Sequence, residues 1–134
     1  MDLGMYAEEL IFNYEHPHNK SRMGDADVSI HEENISCGDR ITVYLKVKDG
    51  KISDISFEGS GCVISMGTAS MLMDYLKGRS IEEVEKMGKD KLVSVINIDP
   101  GPSRLHCATL TLRAARKALL MYQKKPIDRD TKEL

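Results

Sequence analysis

The sequence predicts an α+β fold, with a three-stranded antiparallel sheet in the first half of the chain and about four to five helices packed on it. Between residues 25 and 58 apolar and polar side chains alternate, which is typical of strands with one buried face. After residue 62 apolar side chains recur every three or four positions, which is typical of amphipathic helices. The length of 134 residues, without an internal repeat or a linker, predicts a single domain over residues 1–134.

The expected strands cover residues 25–31, 40–48 and 51–58. Asp49-Gly50 lies between the last two and predicts a two-residue hairpin turn, because a type I′ turn needs positive φ at both of its central residues. The apolar alternation changes phase between Ile52 and Ile55, which predicts a β-bulge in the third strand. The sheet therefore has one face that the helices must cover.

Helices are expected both before the first strand and after the last strand along the chain. A capping box at Ser80 and Glu83 predicts the start of a short helix, and Asp90 and Ser103 are expected to cap the two helices that follow it. Pro126 is expected to end the last helix, leaving a loose charged tail over about residues 126–134. The other expected helices cover about residues 5–15 and 62–77.

Composition excludes several classes of function. The formal net charge of −2 gives no overall electrostatic support for nucleic-acid binding. No run of about 18 apolar residues is present, so no membrane span is expected. The first residues are acidic and do not form a secretory signal, and the three cysteines are an odd number. We therefore expect a cytoplasmic protein whose thiols stay reduced.

Three loops carry the residues that indicate chemistry. They place three thiols, one carboxylate and one imidazole close to expected strand ends and helix starts, in Cys37, Asp39, Cys62, His106 and Cys107. Sulfur and nitrogen donors of this kind suit Zn²⁺ or an iron–sulfur cluster. No two cysteines have the short spacing of a structural zinc knuckle, which favours an exchangeable site. The residues alone also remain compatible with a structural zinc, with a Cys–His nucleophilic pair, or with unrelated side chains.

Taken together and in order, the motifs resemble the iron–sulfur cluster assembly scaffold family, that of IscU and the N-terminal domain of NifU. The similarity extends from about Tyr6 to Leu119. The matching segments are Tyr14-Glu15-His16-Pro17-His18-Asn19, Cys37-Gly38-Asp39, Gly50-Lys51-Ile52 through Phe57, Gly61-Cys62 and Leu105-His106-Cys107-Ala108.

The resemblance implies a scaffold without turnover of its own, rather than an enzyme. Iron and a nascent [2Fe–2S] cluster would be held by Cys37, Cys62 and Cys107, with Asp39 or His106 as the remaining ligand, and Zn²⁺ could occupy the apo-like form. It further implies that Cys107 accepts persulfide sulfur from a cysteine desulfurase, and that Asp39 helps release the cluster to acceptor apo-proteins. A cluster within one chain and a cluster bridging a homodimer are both compatible with the motifs.

Two departures from the family pattern bear on partners and function. Residues 98–104 replace the Leu-Pro-Pro-Val-Lys stretch that the family uses for chaperone recognition, so a dedicated Hsp70-type chaperone is not implied. Residues 61–66 and 102–104 are similar to the SufU branch, whose members bind zinc and relay sulfur. That branch usually lacks the histidine and has an insertion before the third cysteine. His106 and the short Cys62–Cys107 spacing therefore favour the scaffold, with a SufU-type sulfurtransferase as the alternative.

Overall fold

The structure is a computed structural model that describes residues 4–36 and 38–134. Within those residues the chain forms three strands and six helices, one helix more than the largest number expected. In chain order these elements are α1 (Gly4–Glu15), β1 (Val28–Asn34), β2 (Asp39–Lys48), β3 (Lys51–Ser60), α2 (Val63–Leu76), α3 (Ile81–Glu85), α4 (Lys89–Ile96), α5 (Leu105–Tyr122) and α6 (Arg129–Lys132).

The three strands form one antiparallel sheet in the order β1-β2-β3, as the alternating pattern predicted. Asp49 and Gly50 have φ values of 54° and 74°, which confirms the hairpin turn. The pairing shifts after Lys46, because Asp54 pairs with Lys46 while Ile52 pairs with the next residue of β2. The predicted bulge is therefore present in β3. The first strand begins three residues later than expected and continues to Asn34.

Two helices cover the sheet and form most of the core. Helix α5 packs against β1 and β2, while α2 lies among α1, α5, α4 and β3. Every residue of α2 from Ile64 to Met73 is buried, which its central position explains. A Cβ atom added at Gly67 would lie 2.6 Å from the carbonyl oxygen of Leu10, so this glycine allows the close approach of α1.

Several helix ends differ from the expected caps. The N-cap of α4 is Gly88, and Asp90 lies inside its first turn. The N-cap of α5 is Arg104 instead of Ser103, because a turn occupies residues 102–104 before the helix begins. Helix α5 ends at Tyr122, before Pro126, where the Lys125 N–H donates to the Leu120 carbonyl at 2.9 Å. Ser80 caps α3 as predicted, accepting the Glu83 N–H at 3.1 Å.

The C-terminal segment forms a short helix in contact with α5, where a loose tail was expected. It forms α6, whose Thr131 is 0% exposed. The Asp128 carboxylate caps α6 by accepting the Thr131 N–H at 2.8 Å, and the guanidinium of the buried Arg116 lies 3.7 Å from the same carboxylate. The helix forms where a loose tail was expected because Arg116 of α5 contacts the C-terminal segment. The local sequence pattern does not predict this contact between distant residues.

Hydrogen bonding from Thr131, followed by the nearby charge of Arg116, holds the pKa of Asp128 below its usual range. A lowered folded-state pKa contributes stability above the unfolded-state value, and that stability is lost as pH falls through the folded-state value. We expect Asp128→Ala to lower the free energy of unfolding by about 0.5–1 kcal/mol at neutral pH and by less in acid. Urea unfolding at several pH values measures this, and an equal loss at every pH would contradict it.

Among the described residues no helix is both long enough and apolar enough to cross a membrane.

Candidate metal centre

Three of the predicted site residues converge on one point. One donor atom from each of Asp39, Cys62 and Cys107 lies within 4.8 Å of the other two. Asp39 is the first residue of β2, Cys62 lies between β3 and α2, and Cys107 is the third residue of α5. Segments far apart in sequence therefore bring two sulfurs and one carboxylate together.

The sheet register places Asp39 beside the segment that leads to Cys62. Arg40 pairs with Ser60, so the start of β2 lies next to the end of β3. A Cβ atom at Gly59 would lie 2.3 Å from the Arg40 carbonyl oxygen, and one at Gly61 would lie 2.5 Å from Asp39 Oδ1. The absence of side chains at these glycines therefore lets the two segments approach closely enough to form the site.

Asp39 is 1% exposed and uses its two carboxylate oxygens differently. Oδ1 accepts the backbone N–H of Cys62 at 2.9 Å, whereas Oδ2 lies 3.8 Å from Cys62 Sγ, which donates to it. A carboxylate oxygen has two lone pairs. The group can therefore hold the Cys62 backbone and still direct an oxygen toward a metal ion beside the sulfur.

Cys62 is the N-cap residue of α2, in agreement with the helix start expected near this position. Its backbone is extended, with φ −76° and ψ 172°, and its sulfur accepts the N–H of Ser65 at 3.4 Å. The unpaired N–H groups at a helix start carry partial positive charge, which stabilises an anion there. A metal-binding thiolate at Cys62 is such an anion.

The remaining predicted residues differ in where they lie. Cys107 is 2% exposed in the first turn of α5, whereas the adjacent His106 is exposed and is not among the donors within 4.8 Å. Cys37 lies outside the described residues. Gly38, which follows it, has φ 71° and donates its N–H to the Asn34 carbonyl at 2.8 Å. The described part of the site therefore contains Asp39 and not His106 beside the two sulfurs.

The donor set fits a thiophilic metal. Two thiolates and one carboxylate suit Zn²⁺ in a tetrahedral site and also suit cluster iron, and three donors leave a coordination position for a further ligand. Sequence reasoning missed Ser65, which contacts the Cys62 sulfur through both its N–H and its hydroxyl. A serine three residues after a cysteine at an expected helix start was the available signal.

Comparisons with known proteins identify what the chain is similar to. A family model described as "NifU-like N terminal domain" matches residues 5–129. An iron–sulfur cluster assembly scaffold protein IscU of Thermotoga maritima is 37% identical, covering 86% of this chain and 92% of that protein. A zinc-dependent sulfurtransferase SufU of Bacillus subtilis is 30% identical, covering 86% and 89% respectively. The N-terminal part of a NifU-like protein from Brucella abortus has a TM-score of 0.76 at 17% identity, covering 90% of this chain and 96% of that one.

Proposed function

The chain belongs to the family of NifU-like N-terminal domains, and on this premise we propose that it is a scaffold on which [2Fe–2S] clusters are assembled and from which they pass to acceptor apo-proteins. The match over residues 5–129 confirms the family resemblance seen in the motifs. The observation that carries the proposal is the convergence of Asp39, Cys62 and Cys107 from three segments. Relatives that bear the scaffold name support it, at 35% and 37% identity.

In the proposed site, Cys37, Cys62 and Cys107 hold iron through sulfur, and Asp39 provides the fourth ligand. Asp39 is preferred to His106 because its carboxylate lies beside both described sulfurs, whereas His106 is exposed. The cluster is cargo in this proposal, so it must be held firmly enough to form and loosely enough to leave. A carboxylate binds cluster iron less strongly than a thiolate does, which gives the site one weak ligand.

Sulfur enters, in this proposal, from a cysteine desulfurase. A thiolate of the scaffold attacks the outer sulfur of the donor persulfide, the donor S–S bond breaks, and the donor cysteine leaves as a thiolate. Reduction of that sulfur to sulfide takes two electrons from a separate reductant. The proposed first acceptor, Cys107, is 2% exposed, whereas Cys62 is half-buried. Transfer to Cys107 therefore requires a neighbouring segment to move when the donor docks.

A second candidate is a zinc-dependent sulfurtransferase of the SufU type. The Bacillus subtilis relative supports it, and the two sulfurs and one carboxylate suit zinc as well as iron. In this alternative Zn²⁺ would be held by Asp39, Cys62 and Cys107, and the protein would pass persulfide sulfur onward as an enzyme. Both candidates use Asp39, Cys62 and Cys107, so the loaded metal must be measured.

The test is anaerobic reconstitution of the purified protein with iron, cysteine and a cysteine desulfurase, followed by visible spectroscopy and analysis of iron, sulfide and zinc. The scaffold proposal predicts sulfide-to-iron charge-transfer bands and transfer of the cluster to an apo-ferredoxin. One tightly held zinc, no such bands and faster desulfurase turnover in the presence of the protein would contradict it and favour the sulfurtransferase.

A further inference from the structure

We propose that Ser65 is a positioning residue for the sulfur of Cys62, which it contacts through both its backbone N–H and its hydroxyl. The inference rests on the proposed function, because it assigns Ser65 to the same metal-binding site. Ser65 is 0% exposed and lies in the first turn of α2, three residues after Cys62.

Three hydrogen bonds join the two residues. The Ser65 backbone N–H donates to Cys62 Sγ at 3.4 Å, and Ser65 Oγ lies within hydrogen-bond reach of the same sulfur at 3.5 Å. The Ser65 hydroxyl in turn donates to the Cys62 carbonyl oxygen at 3.1 Å. The Cys62 thiol has a single proton and also lies 3.8 Å from Asp39 Oδ2, so it donates to only one of these two oxygens at a time.

Metal binding removes the thiol proton, so the sulfur becomes an acceptor only. The Ser65 hydroxyl has one proton and two acceptors within reach, Cys62 Sγ at 3.5 Å and the Cys62 carbonyl oxygen at 3.1 Å. Rotation about the Cβ–Oγ bond moves that proton to the sulfur without moving the oxygen. The Cys62 carbonyl oxygen still has a hydrogen bond after this rotation, because it also accepts the Met66 N–H at 3.0 Å.

A hydrogen-bond donor beside the Cys62 sulfur matters because the carboxylate of Asp39 lies next to that sulfur. Asp39 Oδ2 lies 3.8 Å from Cys62 Sγ, and a carboxylate opposes the negative charge of a thiolate at this distance. The N–H and the O–H of Ser65 are two donors that can offset this repulsion. A Cβ atom at Gly61 would lie 2.6 Å from Ser65 Oγ, so the glycine leaves room for the hydroxyl. Hydrogen bonds to a metal-bound sulfur orient it and raise the affinity of the site.

The variant that tests this is Ser65→Ala, which removes the hydroxyl and keeps the backbone N–H. Alanine favours helices, so the fold of α2 is retained. With Zn²⁺ as the probe and a chromophoric chelator as competitor, we expect the zinc affinity of the apo-protein to fall about tenfold. We expect Ser65→Thr, which keeps a hydroxyl, to recover most of that loss. With Co²⁺ as the probe, the sulfur-to-metal charge-transfer band should shift to lower energy only when the hydroxyl is absent.

Ser70→Ala is the matched control, because Ser70 is another buried serine of α2 whose hydroxyl donates to Asn13 Oδ1 at 2.7 Å. Wild-type zinc affinity and an unshifted cobalt band in Ser65→Ala would overturn the inference. Equal losses of zinc affinity in Ser65→Ala and Ser70→Ala would also overturn it, since they would indicate a purely structural effect. If wild-type protein forms no cluster on reconstitution, the proposed function fails, while the zinc and cobalt comparison still decides the role of Ser65.

Discussion

Cys107→Ser is expected to abolish retention of the reconstituted cluster while leaving the fold intact. Serine is close to cysteine in size, so the buried first turn of α5 keeps its packing, but its hydroxyl is a poor ligand for cluster iron. Changes beside metal ligands typically cost about 10–100-fold in affinity, and loss of a ligand itself should cost at least as much. We expect the charge-transfer bands to fall at least about tenfold relative to wild type.

The same variant separates the two roles proposed for Cys107. After anaerobic incubation with the desulfurase and cysteine but without iron, mass spectrometry locates the added sulfur on individual cysteines. If Cys107 is the first acceptor, Cys107→Ser should lose the persulfide as well as the cluster. A variant that keeps a persulfide at Cys62 and loses only the cluster would assign sulfur entry to the more exposed thiol.

Thr109→Ser is a suitable control for this variant. Thr109 is buried in the same turn as Cys107, and its hydroxyl donates to the His106 carbonyl at 3.3 Å. The serine keeps that hydrogen bond and changes only the packing near the sulfur. Normal cluster bands in Cys107→Ser, or an equal loss in Thr109→Ser, would contradict a ligand role for Cys107.

Local patterns in the sequence were sufficient to predict much of the sheet and the position of Cys62 at a helix start. Asp49-Gly50 predicts its turn because few other turn types have positive φ at two adjacent residues. Cys62 was correctly placed at a helix start because glycines precede it and a continuous apolar pattern follows it. Both features depend on residues within a few positions, so tertiary contacts do not change them.

Features that depend on distant residues were not predictable in the same way. Arg104 replaces Ser103 as the N-cap of α5 because the preceding loop enters by a turn, and that path is set by packing. The tail contacts Arg116, a charged residue that the sequence alone suggests is exposed. Adjacent residues on a helix diverge by about 100°, so burying Cys107 directs His106 outward. The sequence could not decide which of the two neighbours faces the core.

Replacing Asp39 should slow the loss of the cluster from the scaffold. In the proposed set the carboxylate is the ligand that exchanges most easily, and we expect its dissociation to open the iron to an incoming ligand of the acceptor. Alanine removes this exchange step, so handover should slow even though one ligand is lost. We expect Asp39→Ala to release its cluster more slowly than wild type, measured as the decay of the charge-transfer bands on adding an apo-ferredoxin.

The contacts of Asp39 predict a second effect of alanine at this position. Asp39 Oδ1 accepts the Cys62 N–H at 2.9 Å, so Asp39→Ala removes the acceptor of that backbone group and should lower the free energy of unfolding by about 1–2 kcal/mol. Asp39→Asn keeps an amide oxygen for the Cys62 N–H and loses the charge that binds iron. The two variants therefore separate ligation from the positioning of Cys62.

If Asp39 acts as the labile ligand, both variants should retain the cluster longer than wild type, and only Asp39→Ala should be less stable in urea. Unchanged release rates in both would refute a ligand role. Faster loss from Asp39→Ala with a normal rate in Asp39→Asn would mean that Asp39 serves the site only by holding the Cys62 backbone in place. Because Oδ1 and Oδ2 make different contacts, the carboxylate can fulfil both roles at once, and only this pair of substitutions distinguishes them.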